Sequence, residues 1–268
     1  MGVEEENPHP AGAAILPEFA IPAFSEILPF ILVGFAAQLV DGALGMAFGV
    51  ISSTLLISLG VPPQFASASV HAVEVFTTGA SGISHTLHKN VNWKLFRRIV
   101  IPGVIGGVLG AYVLSIAAES ARPYVLAYLG GIGVYLLWRG IRHGHQDKKP
   151  RVVEPLGFVG GFLDAAGGGG WGPVVTSNLL VQGAHPRKVI GTVNTAEFFL
   201  SVSISAAFLV TLGSGAFTKE MVGLLIGGLA AAPLGGLVAK RVPARPLLIM
   251  VSIVLVLTSG YGIWRALA

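Results

Sequence analysis

Apolar runs, broken by short polar stretches, fill most of this chain and fall into two sets of five. The first set covers residues 27–44, 46–60, 64–88, 94–118 and 122–141. The second covers 154–166, 172–183, 186–212, 219–239 and 244–265. All ten are predicted to be helical. Runs of about 20 residues or more can cross a bilayer, while the first two of each set are short for a full crossing. Residues 1–23 are acidic and Pro-rich, from Glu4-Glu5-Glu6 to Pro22. They lack the basic start and apolar centre of a cleaved signal, so a poorly ordered tail is expected. The predicted organisation is tail 1–23, first transmembrane repeat 24–141, cytoplasmic linker 142–153 and second transmembrane repeat 154–268.

The two sets are copies of each other. Residues 34–82 align without a gap on 157–205, pairing Gly34 with Gly157, Asp41 with Asp164, Pro63 with Pro186, Glu74 with Glu197 and Phe76 with Phe199. The second half then carries two extra residues near Gly213, and Gly110 meets Gly235. Two long units make a duplication, not a solenoid. At its centre lies Asp164-Ala-Ala-Gly-Gly-Gly-Gly-Trp-Gly172, with a weaker copy at Asp41-Gly-Ala-Leu-Gly-Met-Ala-Phe-Gly49. Backbone bent by glycine survives at membrane depth only inside protein or beside a wet cavity. Matched, Gly-interrupted segments in two halves of a membrane chain point to a transporter's binding site. The alternative is that the glycines only let helices pack closely.

Composition agrees with a polytopic membrane protein. The 268 residues are 53% hydrophobic and 11% charged, with a mean hydropathy of +0.76, against about a quarter charged in ordinary soluble chains. There is no Cys, which excludes disulfides, thiolate nucleophiles and Cys-ligated metals. The net charge of +4 sits mostly in loops and is read as a topology signal, not a nucleic-acid surface. If each short pair is a hairpin that returns to its starting side, 14 of 17 Lys and Arg residues gather on the cytoplasmic face and the second half is inverted. If each pair crosses once, the halves are parallel and the split falls to 11 against 6. The fold class expected is therefore all-α and polytopic. It has two inverted structural repeats, each a Gly-rich broken or re-entrant helical hairpin followed by three transmembrane helices.

Ionisable groups at membrane depth are costly and mark function by default. Four acids qualify: Asp41, Glu74, Asp164 and Glu197. Glu74 and Glu197 are repeat mates that could carry protons or a cation, or remain neutral and hydrogen-bonded. Asp41 and Asp164 precede new helices and suit capping. A capping Asp competes with an anion for the same N–H donors, so the tip glycines Gly45, Gly167, Gly168, Gly169 and Gly170 are the better binding candidates. His71 shares a helix face with Glu74. A His-x-x-Glu pair could ligate a metal, but no further His or Cys cluster completes a site, so neither metal nor cofactor is expected. Asn194, the repeat mate of His71, and Thr195 offer neutral donors. Trp171 walls a cavity or fills core. No phosphate-binding Gly-x-x-x-x-Gly-Lys-Ser/Thr loop is present, and neither a Ser–His–Asp order nor a His-Glu-x-x-His helix argues for a hydrolase.

These motifs resemble the sulfite exporter TauE/SafE family. The resemblance rests on residues 34–45 and 157–170, the Gly-x-x-Pro turns at 60–63 and 183–186, and Gly191-Thr-Val-Asn194, and it covers roughly 27–265. Leu44-Gly-Met-Ala47 departs from the glycine run that stands at 167–170. The resemblance implies a multi-pass permease of the cytoplasmic (inner) membrane. Such a permease exports sulfite or a small organosulfonate such as sulfoacetate, by alternating access and with Glu74 and Glu197 as candidate proton carriers. The partners expected are that anion and the lipid bilayer, with no nucleic acid and with homo-oligomer formation left open. The alternative is an uncoupled, channel-like pathway for small anions or metabolites, and an intramembrane enzyme is a third reading.

Overall fold

The computed structural model describes residues 24–117, 122–142, 150–216, 219–241 and scattered positions between 249 and 264. The predicted tail and most of the linker and last segment lie outside them. Every described element is helical. In chain order these are α1 Phe24–Leu44, α2 Phe48–Ser58, α3 Pro63–Leu87, α4 Trp93–Ala117, α5 Arg122–Arg142 and α6 Glu154–Gly167. A π turn, Trp171–Thr176, runs into α7 Ser177–Val181, followed by α8 Pro186–Leu212, a short 3-10 turn and α9 Lys219–Arg241. The described residues between 249 and 264 are helical too.

Among the described residues three stretches are long and apolar enough to cross a membrane: Phe24–Gly42, Trp93–Ala117 and Arg187–Leu212. The first corrects the expectation that 27–44 is short for a crossing. Its helix begins at Phe24, and Glu26 sits in the first turn, where a carboxylate favours a helix start. Its repeat mate α6, by contrast, has 14 residues. α3 is 25 residues long but carries Ser67, Ser69, His71, Glu74, Thr77 and Thr78, all buried. A helix walled in by protein can carry polar residues that lipid would reject.

Helix packing in lipid gains little from hydrophobicity and depends on close backbone approach. Glycines supply it here. α1 packs along α9 and α6 along α4. A Cβ at Gly157 would lie 2.8 Å from the Ile99 carbonyl oxygen, and one at Gly34 would overlap the Leu224 carbonyl. Those two contacts are equivalent in the repeat, so each half's first helix seats on the other half's fourth element. α3 and α8 form the third large contact. Gly79 meets Phe198 and Gly82 meets Thr195, so the two repeat mates cross in opposite chain directions. α4 and α8 meet at Gly103–Leu200 and Gly107–Ile204 and run the same way. Gln182 Oε1 accepts from the N–H groups of Arg151 and Val152, and its Nε2 donates to the Val152 carbonyl. The start of α6 and the end of α7 therefore stand side by side.

Candidate functional site

Both helix breaks are built by one device. α6 ends at Gly167, and the chain reverses through Gly168 (φ 70°) and Gly169 (φ 153°), a left-handed path that side chains resist. The Asp164 carboxylate then folds over the gap. Its Oδ1 accepts from the N–H groups of Gly170 at 2.8 Å and Trp171 at 2.9 Å, satisfying donors that begin the next helical segment. In the first half Gly45 (φ 65°) makes the turn, and Asp41 Oδ1 accepts from Ala47 at 2.8 Å and Phe48 at 3.3 Å. The capped positions are equivalent in the repeat.

The two breaks press against each other. A Cβ on Gly169 would lie 2.6 Å from the Val50 nitrogen and 2.8 Å from the Gly49 carbonyl carbon, and one on Gly172 would overlap Met46. Gly172 is the repeat mate of Gly49, and Gly169 that of Met46, so these contacts exchange under the duplication. α3 brings Glu74 to the junction and α8 brings Glu197. All four acids line one cavity of about 10 Å³, with Met46, Gly49, Val50, Gly169, Gly170, Gly172 and Pro173. That is room for about one water molecule. Each acid is at most 8% exposed, and neither Lys nor Arg shares the wall. Four carboxyl groups therefore share one small cavity with no cationic side chain in its lining.

His71 is the basic group at hand. Its Nδ1 lies 2.8 Å from the Ser67 carbonyl, which accepts only, so Nδ1 carries a hydrogen. Its Nε2 lies 3.1 Å from Asp164 Oδ2 and 4.0 Å from Glu74 Oε2. Between Nε2 and a carboxylate oxygen a proton must sit, on one partner or the other. Ser67 Oγ also donates to the Ala165 carbonyl at 2.8 Å, so α3 holds the second break by two side chains. The repeat mate Asn194 makes no such link: its Nδ2 donates to Ser81 Oγ at 3.3 Å, and its buried Oδ1 has no partner among the described residues.

Of the residues singled out from sequence, Asp41, Glu74, Asp164, Glu197, Gly169 and Gly170 line the cavity. Gly45, Gly168, His71 and Asn194 are not among its lining residues. Gly167 faces a separate apolar crevice beside Tyr128. Thr195 Oγ1 donates to the Gly191 carbonyl at 2.7 Å. Trp171 is fully buried, its Nε1 donating to the Val193 carbonyl at 3.2 Å and its ring lying over Gly103 and Gly160. No cluster of three metal-ligating side chains occurs among the described residues. Sequence reasoning missed Ser67, Met46, Gly49, Gly172 and Tyr128. Gly49 and Gly172 were signalled by their shared spacing from Asp41 and Asp164, and Ser67 by its place one turn before His71.

Comparison with known proteins places this geometry in a family context. The family model described as Sulfite exporter TauE/SafE matches residues 30–262. The chain is 43% identical over 226 residues to the "Probable membrane transporter protein YtnM" of Bacillus subtilis (strain 168), covering 81% of this chain and 75% of that one. No solved structure matches.

Proposed function

The chain belongs to the sulfite exporter TauE/SafE family, and we propose that it is a secondary transporter exporting sulfite or a small organosulfonate by alternating access. Family and relative both indicate a multi-pass membrane transporter, not an enzyme. The single observation that carries the finer reading is the small cavity at which repeat-related acids from both halves meet.

The halves act as inverted repeats around it. Three features support this: the antiparallel crossing of α3 and α8, the reciprocal seating of α1 on α9 and of α6 on α4, and the adjacent feet of the α6–α7 hairpin. The charge split adds a fourth, and it sets the face bearing Lys94 and Arg98 toward the cytoplasm of the inner membrane. Parting the two glycine tips opens the site to one face, and the pseudo-symmetric partner motion opens it to the other. An anion does not share a cavity with four carboxylates unless protons neutralise them. Protonation of Glu74 and Glu197 is therefore the coupling step, and the tip N–H groups that Asp41 and Asp164 cap in this closed arrangement, with Asn194, Thr195 and His71, become neutral donors to the anion only once the tips part and those bonds exchange. The energy source is the proton gradient or the membrane potential.

The test is counterflow in proteoliposomes with sulfite, sulfoacetate, thiosulfate, sulfate and chloride, across pH, for the wild type, Glu74→Gln and Glu197→Gln. Saturable flux of a sulfur oxyanion that exchanges in trans is expected, with a pH profile flattened in each variant. Linear, non-exchanging flux makes the protein a channel. Unchanged pH profiles in both variants remove the acids from coupling.

A further inference from the structure

Away from the acid cavity, a cleft of about 600 Å³ opens where α4 and α8 begin, beside Pro150 ahead of α6. Its floor is apolar and buried, with Leu95 and Ala184. Its walls carry Lys94, Arg98, His185 and Lys188, and no acid lines it among the described residues. Glu154 pairs with Arg98 at its rim, at 2.5 Å to Nε and 2.9 Å to one terminal nitrogen. Lys188 Nζ donates to the Lys89 carbonyl at 2.6 Å and keeps two further N–H groups. The ammonium of Lys94 has no hydrogen-bond partner among the described residues.

The backbone donors around the cleft are already occupied. Asn92 Oδ1 accepts from the N–H groups of Lys94 and Leu95, and the His185 carbonyl accepts from Lys188 and Val189. What remains is a set of cationic side chains that repel one another across a roomy, partly enclosed space. A positioning role in topology needs only the charges, not a cleft between them. Lys and Arg converging on a concavity are the chemistry of oxyanion recognition, where charge-assisted hydrogen bonds are the strong ones.

We propose that this cleft is an oxyanion-binding site, holding a sulfonate, sulfite or phosphate group through Lys94, Lys188 and the remaining N–H groups of Arg98. The site is separate from the acid cavity and does not depend on the transport reading. Two sources share its chemistry, a free small anion and the headgroup of an anionic lipid. Glu154 competes with the ligand for Arg98, which makes it a brake on affinity.

The test uses the purified full chain in neutral detergent. Sulfate is titrated calorimetrically, and retention of phosphatidylglycerol against phosphatidylcholine is read by native mass spectrometry. We expect one equivalent of at least one anionic probe. Lys94→Gln with Lys188→Gln weakens it about tenfold or more, as the loss of two charge-assisted bonds requires. Glu154→Gln strengthens it several-fold by releasing Arg98, an effect a merely structural role would not produce. Sulfate binding lost in the double variant identifies a free-anion site, and loss of phosphatidylglycerol alone identifies a lipid site. Binding that the double variant leaves unchanged, or no binding of either probe, overturns the proposal. Because no flux is measured, the outcome is independent of the counterflow experiment.

Discussion

The two helix breaks share a backbone plan and differ in chemistry. Each has an Asp that caps the next helical segment across a left-handed glycine, and each touches the other through equivalent positions. The first break, however, is Leu44-Gly-Met-Ala47, and among the described residues its Asp41 carboxylate bonds only the two cap N–H groups. The second is four glycines, and its Asp164 uses Oδ1 for the cap and Oδ2 for His71. Duplication repeated the fold of the turn. Later divergence tied one turn to α3 and left the other without the tie.

That contrast can be tested, and the largest effect is expected at Gly169. A Cβ there meets the Val50 and Gly49 backbone, which cannot step aside, and its φ is strained for any other residue. Gly169→Ala should cost about 3 kcal/mol or more, or prevent folding, as thermal melting in detergent would show. Gly45→Ala is the matched control. Its Cβ would meet mainly the Ile190 methyl, at 3.1 Å, so about 1 kcal/mol for the left-handed backbone is expected. Equal losses at the two sites would mean that the tips are equally constrained.

Removing the caps comes next. Asp41→Ala should cost about 1 kcal/mol, an ordinary cap. Asp164→Ala should cost about 3 kcal/mol, because it also leaves His71 with a buried nitrogen unpaired. A double-mutant cycle sharpens the point. His71→Gln with Asp164→Asn should couple by about 1 kcal/mol or more, whereas Asn194→Ala with Asp41→Asn should be additive. Coupling of equal size in both halves would contradict the asymmetry.

The smallest effect belongs to the exposed foot of α6. The Arg98 guanidinium beside Glu154 holds its carboxyl below the usual value of 4.5. A depressed carboxyl stabilises the folded state above its unfolded value, and that contribution disappears as pH falls through the lower folded one. Melting of wild type and Glu154→Gln should therefore differ slightly at pH 6 to 7, begin to converge as pH falls past the usual carboxyl value, and coincide only below the lower folded one. A difference that persists in acid would rule out the ion pair as its origin.

Much of this was legible along the chain. The Asp and Gly spacing announced both breaks, the Pro after each turn marked the starts of α3 and α8, and intramembrane acids stood out against an apolar background. α1 was read short because Phe24-Ser-Glu26 breaks the apolar run, although a helix start tolerates such residues. His71 was linked to Glu74 through helix periodicity, but its closer partner is Asp164, 93 positions away. No local pattern encodes that distance.

Sequence alone determined the helical class, the duplication, the two breaks and the capping carboxylates, because each depends on interactions within a few residues or on hydropathy against lipid. Tertiary structure decided the rest. The seating of α1 on α9 and of α6 on α4, the convergence of Asp41, Glu74, Asp164 and Glu197 on a one-water cavity, and the bond from His71 to one Asp and not to its mate arise from close backbone approach between halves. That approach depends on which glycine faces which carbonyl across a helix pair, a relation fixed only once the helices are packed.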